Sequence, residues 1–214
     1  MVRDTETLID GLVGELRPVR PMRFSGGLGW VLAGLAAAIA MVLSLSSLRP
    51  DLAAASPAPM LVVVLGLFLL LGLAASLGVV AMARPRVGTD HDGWKWAAAM
   101  TALLPLAALS ALLGHADHPD MSAFVANGMD CLMVGLAAGL ATFAVLTLWL
   151  RRGAPTYPEQ AGLLVGIAAG SFGIFATSLH CPSNDMAHIG IWHALAVVVG
   201  ALAGRTIVPS LVRW

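Results

Sequence analysis

The stretch Leu179–His188, LHCPSNDMAH, sets a thiol, two imidazoles, a carboxylate and a carboxamide between two very apolar runs. Cys181 is one of two cysteines in the chain, and the other is Cys131. Thiolates and imidazoles are the donors chosen by zinc, cadmium and copper. Two thiols can instead close and open a disulfide. His180, Asp185, His188, His193 and Asp130 stand close enough in sequence to these cysteines to ligate a metal or to tune a thiolate. No CxxC or HxxxH spacing is present, so spacing leaves three readings open. The pair is a redox switch, or part of a metal-sensing site, or simply two small buried side chains among polar interfacial groups. A thiol oxidoreductase would need a CxxC pair and a second pair to relay electrons. The chain has neither, and no catalytic residue is assigned.

The elements that must carry these groups are written in the composition. Of 214 residues, 58% are hydrophobic and 11% charged, and the mean hydropathy is +0.86. Ordinary soluble domains carry about 25% charged residues, so the bilayer is the solvent that fits. The formal net charge of zero gives no basic field for direct nucleic-acid binding. The N-terminus, MVRDTETLIDGLVGELRPVR, mixes charges and lacks a short apolar core with a small-residue cleavage site, so it does not read as a secretory signal peptide.

A membrane-crossing helix needs about 20 predominantly apolar residues. Six such runs are expected, near 28–48, 60–83, 95–114, 129–150, 161–180 and 188–208. The fold class is therefore an all-α membrane protein of six transmembrane helices (residues 28–214), preceded by a short arm (residues 1–27). Lys and Arg sort unevenly between the two sides. Eleven fall on the side of the termini, and Arg49 alone falls on the other. The positive-inside rule then places both termini in the cytoplasm. Cys131, Cys181, His180, His188 and His193 lie at the outer side, where disulfides persist if the membrane is a bacterial inner membrane.

Small residues four apart allow membrane helices to approach closely. Gly135 and Gly139 are so spaced in the fourth span, Gly162, Gly166 and Gly170 in the fifth, and Gly200 and Gly204 in the sixth. If the fourth and fifth spans pack, Cys131 and Cys181 become neighbours. In the arm, Leu8, Ile9, Leu12, Val13 and Leu16 form a narrow helical stripe. Pro18 ends the helix, and Gly11 and Gly14 each weaken it by about 1 kcal/mol relative to Ala. Such a stripe lies on the bilayer surface or docks in a protein groove, and its acidic polar face favours the protein. A small metal-ion-binding transporter is the alternative function. It would want charged residues near the midplane or broken helices, and Pro105 and Asp130 are the nearest features.

The segments TLIDGLVGELRPVRPM, HCPSND, IWHALAVVVGALAGR and the terminal VRW resemble the NrsF-type family. These are six-span bacterial inner-membrane proteins that act as anti-sigma factors, negative regulators of extracytoplasmic-function sigma factors. The likeness runs over essentially the whole chain, and Cys131 also falls where the family tends to carry a cysteine. One departure follows the fifth span, where Ile191-Trp192-His193 stands in place of an aromatic pair such as Trp-Tyr. The resemblance implies that the arm, with Leu8, Ile9, Leu12, Val13, Leu16 and the exit Arg17-Pro18-Val19, holds a sigma factor at the membrane. It also implies that Cys131 and Cys181 respond to heavy metal or oxidative stress, through a Cys131–Cys181 disulfide or a bound transition or heavy metal ion. No cofactor is required otherwise.

Overall fold

A computed structural model describes residues 5–15, 22–84, 93–114 and 120–212. In chain order the helices are α1 (Thr5–Glu15), α2 (Phe24–Leu45), α3 (Pro50–Ala53), α4 (Pro59–Met82), α5 (Gly93–Gly114), α6 (Met121–Arg151), α7 (Pro158–Ser178), α8 (Met186–His188) and α9 (Ala194–Val212). A π-helical turn, Ile189–His193, joins α8 to α9. No strand occurs among the described residues. Among the described residues, five helices are long and apolar enough to cross a membrane: α2, α4, α6, α7, and the continuous run from Met186 to Val212. The segment near 95–114 also forms a helix, α5, of 22 residues.

Proline and polar caps set the boundaries. Pro50, Pro59 and Pro158 occupy first turns, where the missing N–H has no helical partner to lose. Asp120 caps α6, accepting from the backbone N–H of Ser122 at 3.0 Å and from Ala123. That cap starts α6 at Met121, earlier than the apolar run near 129 suggests. Cys131 is thus ten residues inside a helix rather than near its first turn.

The bundle is built around α7, which packs on α9, α6 and α4. Of the apolar stretch of α7, 89% is buried, against 22% for α2. The contacts are backbone to backbone. A methyl added at Gly166 would strike the Gly200 carbonyl, one at Gly162 the Gly204 carbonyl, and one at Gly170 would come within 2.6 Å of the Val197 Cα. On the other flank, a methyl at Gly139 would sit 2.7 Å from the Ala169 carbonyl oxygen, and one at Gly135 would crowd the Ile174 side chain at 2.5 Å. In lipid, where apolar burial drives no association between helices, this close packing is what holds them together. Phe68, Phe172, Leu146 and Leu164 fill the interior. Leu70, Leu140 and Val63 point outward at more than 60% exposure, as suits a surface bathed in hydrocarbon rather than water.

The two ends of the bundle differ chemically. At one, the Arg152 guanidinium lies 4.6 Å over the Trp30 ring, Arg205 faces Glu159 at 3.6 Å, and Ala154 N–H donates to the Ala83 carbonyl. At the other lie Arg49, Cys181 and the histidine-bearing turn.

Candidate functional site

Cys131 and Cys181 meet at that second end. Gly135, one turn after Cys131, lets α6 settle on Ile174 and Thr177 of α7, so the cysteine above it overhangs the end of α7. There the backbone N–H groups of His180 and Cys181 both donate to the Thr177 carbonyl at 2.9 Å. This tight turn swings the Cys181 side chain back toward α6. The Cys131 Sγ donates to the Cys181 Sγ across 3.3 Å. Both cysteines are free thiols, since a disulfide would bring the sulfurs to about 2.05 Å.

Two histidines complete the cluster. Asp185 caps α8 by accepting from the N–H groups of Ala187 and His188, and the chain then enters the π turn. His188 Nε2 lies 3.6 Å from the Cys181 Sγ. The His188 and His193 rings stand edge to face with centroids 5.5 Å apart. One donor atom from each of Cys131, Cys181, His188 and His193 lies within 4.8 Å of every other. Phe68 and Phe124 wall the imidazoles with edge contacts at 6.2 and 6.4 Å. His193 is 1% exposed, and neither of its ring nitrogens has a hydrogen-bond partner. The Cys181 thiol is held below its usual range, chiefly by the hydrogen bond from Cys131. Burial opposes this, and the contact with His188 reinforces it.

A cavity of about 480 Å³ leads to the thiols, with exposed Asp120, Asp130 and Asp185 among its lining groups. The remaining groups suggested by the sequence have other work. His180 also borders the cavity, but its Nδ1 is taken up in donating to the Ser47 carbonyl at 2.8 Å. Asp185 is engaged as a helix cap, and Asp130 is exposed on α6. None of the three joins the four-donor cluster. Arg49 was missed as a site residue. It is 5% exposed and donates to the Cys181 carbonyl at 2.6 Å, to Asn184 Oδ1 at 3.1 Å and to Asp51. Its sequence signal was its isolation as the one basic residue on its side of the chain.

In α1 none of the described residues is buried. Leu8, Ile9, Leu12 and Val13 are 51–59% exposed. Leu16, Arg17, Pro18 and Val19 lie outside the described residues.

Comparison with known proteins decides the family. The family model described as "Negative regulator of sigma F" (NrsF) matches residues 12–214. The chain belongs to the NrsF family. It is 33% identical to the Anti-sigma-F factor NrsF of Caulobacter vibrioides (strain NA1000 / CB15N), over 98% of this chain and 99% of the relative. It is 28% identical to the Probable anti-sigma-F factor NrsF of Azospira oryzae, over 92% of this chain and 91% of the relative. No solved structure matches. The four-donor cluster and the exposed arm are thus features of an NrsF-family chain.

Proposed function

We propose that this protein is an anti-sigma factor of the bacterial inner membrane. It holds an extracytoplasmic-function sigma factor through its N-terminal arm and releases it when heavy metal or oxidant reaches Cys131 and Cys181. The observation that carries this reading is the unpartnered stripe of α1, with Leu8, Ile9, Leu12 and Val13 each more than half exposed. An isolated helix of 11 residues is marginal in water, and docking its apolar face in a partner's groove is the usual remedy. Leu16 and the Arg17-Pro18-Val19 exit extend the same binding segment. With α5 as the sixth span, both termini are cytoplasmic by the positive-inside rule, and the thiols face the opposite, oxidising compartment. Moving a switch from 1:99 to 99:1 takes about 5.5 kcal/mol of differential binding, within the reach of thiolate–metal bonds.

Co-purification of the intact protein from its host membranes tests the reading. A stoichiometric sigma factor that is lost on deletion of residues 1–17 is expected. Isolation without any sigma factor, or a complex indifferent to the deletion, would overturn it.

A further inference from the structure

We propose that Cys131, Cys181, His188 and His193 together form a closed four-coordinate site for a divalent d¹⁰ cation, zinc or cadmium. The cation would bind as the bis-thiolate, bis-imidazole complex. This site deepens the sensing role given above to the two thiols, naming the full donor set and the class of ion.

The distances fit. A tetrahedral site with Zn–S of about 2.3 Å and Zn–N of about 2.0 Å sets its donors roughly 3.3–3.8 Å apart. Cys181 Sγ to His188 Nε2, at 3.6 Å, matches a sulfur–nitrogen edge of such a site, and the two sulfurs, at 3.3 Å, need to part by only about 0.5 Å to reach the sulfur–sulfur edge. All four donors lie within 4.8 Å of one another, so small side-chain shifts close the shell.

The backbone is bent to supply the second imidazole. On an α-helix, residues five apart point about 140° away from each other. The π turn at Ile189–His193, with its longer hydrogen-bonded loop, brings His188 and His193 onto one face. Trp192 secures that turn by laying its indole against Gly128, where no Cβ would fit. What this geometry delivers is a buried imidazole with both nitrogens unpartnered. Leaving a buried polar group unsatisfied costs about 1–3 kcal/mol, and a ligated ion removes that cost.

Charge selects the ion. Two thiols lose their protons, two neutral imidazoles contribute lone pairs, and a divalent cation makes the complex neutral. No electrons move, and two protons leave with the displaced water. A monovalent cuprous ion in the same shell would leave a net negative charge buried, which is unfavourable in so apolar a setting. Asp120, Asp130 and Asp185 at the cavity draw cations toward the thiols without ligating them.

The test is a cobalt(II) titration of the full-length, reduced protein in detergent, followed by displacement with zinc or cadmium. One equivalent with a tetrahedral visible spectrum and a thiolate charge-transfer band is expected, lost in Cys131→Ser and in Cys181→Ser. His193→Gln should weaken binding by at least about tenfold, since even groups that merely support ligands contribute that much. Glu159→Gln, at the opposite end of the bundle, should leave it unchanged. If His193→Gln does not fold, His188→Ala at the cavity wall gives the same reading. A six-coordinate spectrum without the thiolate band, no binding by the reduced protein, or wild-type affinity in the histidine variants would overturn the site. No sigma factor enters the titration, so its failure leaves the anti-sigma reading standing, and the reverse holds too.

Discussion

The Arg49 guanidinium donates to the Cys181 carbonyl oxygen at 2.6 Å, across 132 residues of chain. The same segment is fastened twice more, by Arg49 N–H to the Leu179 carbonyl at 3.0 Å and by His180 Nδ1 to the Ser47 carbonyl. The loop after α2 is thereby a clasp over the turn that carries the thiol. Asp51, bonded to Arg49 at 2.9 Å through two oxygens, balances the charge.

Removing the guanidinium strips four acceptor oxygens, on three residues, of their donor at once. Arg49→Ala should cost ~3 kcal/mol, in the range for breaking a buried charged set. It should also speed maleimide labelling of Cys181. Arg49→Lys should recover little, because an ammonium cannot span the fork. Thermal unfolding in detergent and labelling rates provide the measurements.

The clasp should also survive mild acid. The hydrogen bond from Arg49 is the chief cause holding the Asp51 carboxyl down at about 2, against an ordinary 3.8. A depressed carboxyl stabilises the fold above its unfolded pKa, and the effect fades as pH falls through the folded value. The melting difference between wild type and Asp51→Asn should therefore be equal at pH 7 and pH 5. It should shrink only below about pH 4.

Two glycines give a matched pair. Gly166→Ala drives a methyl into the Gly200 carbonyl, whereas Gly66 has nothing within 4 Å. The first should lose about 1–3 kcal/mol by overpacking, and Gly66→Ala should lose nothing. Melting of the two variants side by side decides it.

In the arm, Leu12→Asp should abolish sigma-factor pull-down without changing the melting of the bundle, because Leu12 is 58% exposed. Loss of both together would mean that the arm stabilises the bundle rather than binding a partner.

For the thiols, diamide treatment of membranes should protect both cysteines from a maleimide-polymer mass tag in wild type, and should leave the one remaining cysteine of each single Ser variant open to the tag. In cells, Cys131→Ser and Cys181→Ser should uncouple sigma-factor release from stress while membrane insertion stays intact. Unchanged induction in both variants would return the cysteines to a packing role.

Much of the helical layout is legible in the sequence because an apolar run of about 20 residues has few other uses. That Cys131 and Cys181 share one end follows from their positions at the edges of such runs. The start of α6 was not legible from hydropathy, because Asp120 and Ser122 build a cap that carries the helix past the polar residues Asn127 and Asp130. The partnership of His188 with His193 was hidden for a different reason. Five-residue spacing is unproductive on an α-helix, and the π turn that rescues it comes from packing on Gly128, some 60 residues earlier in the chain. Arg49 stood out in the sequence only as the lone basic residue on its side, because its acceptors, Cys181 and Asn184, lie more than 130 residues away.

The clasp gives α2 a mechanical character. Its far end is pinned to the Cys181 turn, and its near end, at Phe24, follows directly from the segment that bears the arm. Twenty-two residues make a rod about 33 Å long. Along its length it is buttoned to α6, where Gly34 backs onto Thr142 and accepts its hydroxyl proton at 3.1 Å. A displacement of the pinned end is therefore shared between α2 and α6, the helix that carries Cys131.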